Sequence, residues 1–161
     1  MQPLTPEDVQ AALDAQNTGI QIQYFEQSTA TSEEAAAAAN TALGSIVKSI
    51  VFIADTQPVL VLTSGDQRID DRKIASHYNI GRKKVRIATA DECITIVGYA
   101  PGGVPPLGHR TPNLPIFIDR MLSRYDRVYA AAGAPNAIFP IPYQQLIEIT
   151  GGTVMDVVKD S

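Results

Sequence analysis

Lys48 is the residue whose setting most needs a chemical explanation. It stands within Ile46-Val47-Lys48-Ser49-Ile50-Val51-Phe52-Ile53, a β-branched run that is apolar on both faces. An unpaired ammonium buried in such a strand is strongly unfavourable. The side chain must therefore carry its charge to solvent along its four-carbon stem, meet an anion, or lose its proton. At a sheet edge it simply reaches water; facing a pocket, it can hold a carbonyl or phosphate oxygen. Ser49 has the opposite parity and is expected on the other face of the sheet.

A second stretch, Gly98-Tyr99-Ala100-Pro101-Gly102-Gly103-Val104-Pro105-Pro106-Leu107-Gly108-His109, carries no charge before its histidine. Adjacent glycines let backbone N–H groups approach a ligand closely, and the flanking prolines hold that conformation at low entropic cost. Aligned N–H donors suit a carboxylate or the oxyanion of acyl transfer. Structural loops also carry Gly-Gly and Pro-Pro, so the stretch gains meaning only beside the strand lysine.

Other chemistries lack their residues. There is no G-x-S-x-G elbow, no G-x-x-x-x-G-K-[ST] phosphate loop and no G-x-G-x-x-G fingerprint. His77, Cys93 and His109 are the only His and Cys residues and do not by themselves make a zinc set, so no metal or other cofactor is expected. His77 reads as a surface residue of a polar helix, and Cys93 as a small core residue rather than a nucleophile. Basic residues are segregated. Residues 1–45 contain no Lys or Arg, whereas seven of the 13 fall between Arg68 and Arg86. Such a segment forms either a phosphate-binding patch or a solvated face balanced by Asp66, Asp70 and Asp71.

The elements that must position these residues follow from periodicity and caps. Thr5-Pro6-Glu7-Asp8 starts a helix running to about Gln16, and Ile20–Tyr24 alternates as a strand. Thr31-Ser32-Glu33-Glu34 is a capping box opening an alanine helix that closes near Gly44. Ile46–Ala54 and Val59–Thr63 form a hairpin across Asp55-Thr56-Gln57-Pro58. A helix over 70–78, a strand over 85–87 and a capped helix from Thr89 to Gly98 come next. Residues 99–115, with three glycines and five prolines, form an ordered loop. Strands over 114–118, 127–132 and 137–141 and a helix over 142–150 follow. Without a strict βαβ repeat, the pattern predicts a mixed α/β (α+β) domain spanning residues 1–161, built on one curved, largely antiparallel sheet.

The 161 residues suffice for one domain with a core, and 45% apolar with 19% charged content excludes a disordered tail or a fibre. No stretch has the roughly 20 apolar residues of a membrane span, and a net charge of −4 argues against a general DNA-coating protein. The single cysteine and an N-terminus without a signal-like apolar region lead to the expectation of a cytoplasmic protein.

Val47-Lys48-Ser49-Ile50-Val51-Phe52, Gly98 through Gly108, and Tyr129-Ala130-Ala131-Ala132-Gly133 together resemble the YbaK/EbsC family, free-standing relatives of the editing domain of bacterial prolyl-tRNA synthetase. The resemblance spans residues 20–158 and implies a sheet curled into a partial barrel surrounded by helices. It also implies hydrolysis of the ester joining a wrong amino acid to tRNA, with aminoacyl-tRNA, and in some cases a synthetase, as partner. Lys48 then matches the pocket lysine, and Gly102 through Pro106 the G-x-x-x-P loop. Lys48, Gly102 and Gly103 are the expected catalytic positions. Ser49, Val104, Pro105, Pro106, His109, Gly133 and Asn136 are expected at the substrate, and Arg82, Lys83, Lys84 and Arg86 at the tRNA. Asn136 stands where several relatives carry histidine and does not titrate near neutral pH. His109 is either a local substitute for that histidine or a turn-stabilising residue. A binding module without turnover and a hydrolase of another small ester are the competing readings.

Overall fold

A computed structural model describes residues 1–160. The chain runs α1 (Pro6–Ala15), β1 (Gln23–Tyr24), α2 (Ser32–Ala39), β2 (Ile46–Ala54), β3 (Gln57–Ser64), α3 (Asp71–Tyr78), β4 (Val85–Ile87), α4 (Ala90–Val97), β5 (Ile116–Asp119), β6 (Arg127–Ala131), β7 (Ala137–Pro142), α5 (Tyr143–Thr150) and β8 (Thr153–Met155), with short 3-10 turns before β2, β4 and β6. The strands form one open sheet in the order β1-β7-β6-β2-β3-β5-β8, and β4 joins β2 beside that path. Four of the seven pairings are antiparallel; β2–β6, β3–β5 and β5–β8 are parallel. The mixed α/β class and the mostly antiparallel sheet agree with the expectation. No helix among the described residues is long and apolar enough to cross a membrane.

Helix starts are set locally. Thr5 with Asp8, Thr31 with Glu34 and Thr89 with Glu92 each form a reciprocal capping box. Helix α2 ends earlier than predicted, because Asn40 takes the left-handed cap at φ 53° and Gly44 belongs to the following 3-10 turn. The predicted strand over 20–24 shrinks to Gln23–Tyr24. Upstream of it, the Gln10 amide on α1 replaces a strand partner, donating to Ile20 O (2.8 Å) and accepting from Ile22 N (3.1 Å).

The hairpin turn is tighter than predicted, since Ala54 pairs directly with Gln57 and Asp55 adopts φ 61°. Pro58 therefore lies inside β3. Its missing N–H faces away from β2, at a level that β5, which starts pairing at Leu60, does not reach.

Strand β2 separates two apolar clusters. Val47, Val51 and Ile53 face the principal core with Leu60, Leu62 and Phe139, whereas Phe52 and Ala54 face a second core with Val59, Val61, Ile74 and Phe117. This alternation fixes where the neighbours Lys48 and Ser49 can point.

Candidate active site

The site begins as an unpaired length of strand. Toward β3, β2 is paired from Val47 to Ala54. Along its other edge it meets β6 only at Ile46 and Val47, and β4 only at Phe52 to Ala54. Ala88 N–H extends the second contact to Val51 O (2.9 Å). Lys48, Ser49 and Ile50 thus face no strand on that edge among the described residues. Ile46 O accepts from Gly65 N on the β3 side, so even-numbered residues bond β3. By the same register, the N–H and C=O of Ser49 point into the gap.

A cavity of about 590 Å³ fills this gap. Its walls are β2 from Ile46 to Val51, the segment Thr29–Glu33 entering α2, the end of β4 with Ala88, Tyr129 and Ala131 of β6, and the loop residues Pro101, Gly102 and Val104. Lys48 and Ser49 both line it despite opposite parity, because the missing neighbour opens both faces of β2 to one space. Lys48 is exposed, so its charge is solvated rather than buried, and it has no ion pair among the described residues. Ser49 Oγ and Thr29 Oγ1 are buried without a hydrogen-bond partner there. Two orphan hydroxyls, one on β2 and one on the segment before α2, leave hydrogen-bonding capacity for a polar occupant.

The loop opposite is a tight turn. Gly103 N donates to Ala100 O (3.0 Å) across Pro101 and Gly102, and Gly102 sits at φ 89°, where only glycine is unstrained. The expected run of donors from Gly102 to Pro106 is thereby reduced. The Gly103 N–H is engaged in the turn, and Pro105 and Pro106 have none to give. The N–H groups of Gly102 and Val104 donate to no acceptor among the described residues. Val104 is 2% exposed, so its N–H is shielded from bulk water.

Lys48, Ser49, Gly102 and Val104 are brought together, whereas Gly103, Pro105, Pro106, His109, Gly133 and Asn136 do not line the cavity. Three of these act as supports. Gly133, at φ 91°, donates to Gly103 O (2.9 Å) and joins the two loops. A Cβ at Gly133 would come within 3.1 Å of Thr5 C and Tyr99 Cε1. Asn136 Nδ2 donates to Phe25 O (3.2 Å), and the main-chain carbonyl of Asn136 accepts from Phe25 N (2.9 Å). His109 Nε2–H donates to Pro105 O (2.7 Å), and burial holds the ring below its ordinary pKa, as suits a neutral turn-stabilising histidine. Cys93 lines the cavity, but burial pushes its thiol up to about 11, so it stays protonated at neutral pH.

The predicted basic positions Arg82, Lys83, Lys84 and Arg86 are exposed on the turn before β4 and on β4 itself. Arg82 is paired with Asp71 (2.9 Å), and Arg86 grips Glu92 through two hydrogen bonds (2.7 and 2.8 Å) that hold that carboxyl at about 2. Thr29, Ala30 and Ile87 are site residues that the sequence does not single out. The polar run before the capping box is the available signal for the first two.

Comparison with known proteins adds a family match. The model of the aminoacyl-tRNA editing domain matches residues 26–149. The protein YwhH of Bacillus subtilis is 31% identical over 86% of this chain and 87% of its own length. EbsC of Enterococcus faecalis, named as a candidate Cys-tRNA(Pro)/Cys-tRNA(Cys) deacylase, is 29% identical over 66% of this chain and 69% of its own. A crystal structure described as a candidate trans-editing enzyme for prolyl-tRNA synthetase superposes with a TM-score of 0.89 at 37% identity, over 96% of this chain and 97% of that one.

Proposed function

The chain belongs to the aminoacyl-tRNA editing domain family, and from that premise we propose that it is a trans-acting deacylase hydrolysing the ester of mischarged aminoacyl-tRNA in the cytoplasm. The observation that carries the reading is the shared cavity, where one exposed ammonium on β2 stands with two unclaimed backbone N–H groups of the facing turn.

An aminoacyl ester is already activated, so no protein nucleophile is required, and the protonated Cys93 thiol does not supply one. Water adds its oxygen to the acyl carbon. The carbonyl electrons move onto oxygen, and the N–H groups of Gly102 and Val104 with the Lys48 ammonium stabilise the charge that forms there. Collapse breaks the bond to the ribose oxygen, which leaves with the proton given up by the water. The substrate's own amino group or ribose hydroxyl orients the water. Ser49 and Thr29 contact the amino acid, and its size is read by the apolar wall that includes Val51, Ala88 and Ile138. Gly103, Pro105, Pro106, His109, Gly133 and Asn136 hold the lining in place. Arg82, Lys83, Lys84 and Arg86 complete this reading as contacts to the RNA.

The test is a panel of mischarged tRNAs incubated with the wild type and Lys48→Ala. Release of at least one amino acid by the wild type, reduced roughly 10²–10³-fold in the variant, is the expected result. Retained tRNA binding with no release from any member of the panel would replace the enzyme with a binding module.

A further inference from the structure

A second cavity, of about 760 Å³, lies on the other side of Lys48. Lys48, Ile50 and Ile87 line both cavities, so the two spaces share one wall. Their chemistry differs. The second is lined by six cations (Lys48, Arg68, Arg72, Arg82, Arg86 and Lys159) against three carboxylates. Those carboxylates are engaged: Asp70 caps α3 by accepting from Arg72 N (3.0 Å), Asp71 holds Arg82 (2.9 Å) and Asp160 holds Lys73 (2.9 Å). Arg86 is held by Glu92 (2.7 Å). Lys48, Arg68, Arg72 and Lys159 have no carboxylate partner among the described residues. Thr63 also lines this cavity, and its hydroxyl is buried there without a partner. Ile87 on the shared wall is 61% exposed, an apolar ledge between a cationic and an apolar space.

We propose that the second cavity seats the phosphodiesters of the single-stranded 3′ end of the charged RNA, with Arg68 and Arg72 as its main contacts. The inference rests on the deacylase reading only for the identity of the RNA. A positively charged cleft that tracks a backbone, beside an apolar surface for a base, is how single strands are held without sequence readout. The order of the surfaces matches the order of groups in the substrate. The acyl group enters the first cavity, the terminal nucleoside lies across Ile50 and Ile87, and the phosphates continue past Lys48 toward Arg68 and Arg72.

The experiment compares Arg68→Glu/Arg72→Glu with Arg127→Glu, a charge reversal at an exposed position of β6 that lines neither cavity. For each protein, kcat/KM is measured on mischarged tRNA and on the matching aminoacyl-adenosine, which lacks phosphodiesters. The ratio of the two should fall at least tenfold in the double variant and stay within twofold of wild type in Arg127→Glu. The salt dependence of tRNA affinity should flatten by about 0.7 in log–log slope for each phosphate that is no longer neutralised. An unchanged ratio and slope would overturn the proposal. If the wild type releases nothing from any tRNA, the deacylase reading fails, and filter binding of uncharged tRNA still decides the cleft: weaker binding by the double variant upholds it, equal binding ends it. The milder Arg68→Gln/Arg72→Gln pair repeats the comparison should the reversal impair folding.

Discussion

Two neighbouring stretches of β2 are treated oppositely by the fold. Phe52–Ala54 is paired on both edges, to β3 and to β4, and all three residues are buried. Lys48–Ile50 is paired on one edge only, and there the strand holds an exposed ammonium, an orphan hydroxyl and main-chain groups aimed at a cavity. Buried polar groups are normally satisfied within the protein. With Ser49 and Thr29 as two such exceptions where β6 and β4 leave β2 unpaired, the proposed function draws stability from one stretch and ligand capture from the next.

Substitutions should separate the two stretches. Ile53→Ala empties part of the principal core away from both cavities and should destabilise the fold by about 2–5 kcal/mol, seen as a large drop in Tm, while the folded fraction keeps its turnover. Lys48→Ala should show the reverse: activity lost, Tm almost unmoved, because the side chain is exposed. A large Tm change in Lys48→Ala would break the comparison. Gly102→Ala forces a Cβ into a left-handed turn, and although the nearest atoms stand at an ordinary 3.5 Å, the conformation itself should cost about 1–2 kcal/mol and lower kcat more than it raises KM. Ser49→Ala sharpens the contrast. Deleting a hydroxyl without a partner should leave Tm unchanged or slightly higher, yet reduce kcat/KM about tenfold. A fall in both would mean that the hydroxyl serves the fold.

The smallest effect concerns pH. Arg124 holds the Asp66 carboxyl at about 2, below its ordinary 3.8, through a hydrogen bond of 2.7 Å. A depressed carboxylate adds stability that is complete above its unfolded pKa and disappears as pH falls toward the folded value. Wild type should therefore lose more stability than Arg124→Met between pH 4 and pH 2, the region bounded by those two values. Parallel acid melts would show that the pair contributes nothing.

Much of the fold is legible in the chain because it is local. The capping boxes at Thr31 and Thr89 need four residues each, and the hairpin needs only β-branched runs and a turn. Lys48 stands out as a charge in an apolar run, and Gly102 as half of a Gly-Gly pair. What cannot be read is non-local. The gap exists because β6 pairs in parallel with the first residues of β2 and β4 with the last, and neither register is written near Lys48. Parity separates Ser49 from Lys48 only in a strand flanked on both edges, so the same gap defeats that rule. Strand β8 has only three residues and two exposed side chains, too little pattern to mark it. Pro58 reads as a breaker in the sequence, because its freedom from a partner depends on where β5 begins.

The tie from Gly133 N–H to Gly103 O, with His109 fastened to Pro105, holds the turn at Gly102 in shape before any substrate arrives. Because the groups it offers belong to the peptide backbone, most single replacements of a side chain leave them in place. The hydroxyls of Thr29 and Ser49 have no such protection, since each is an atom that one codon change deletes. On the deacylase reading, descendants of this chain can therefore drift in which amino acid they reject long before they lose the capacity to reject one.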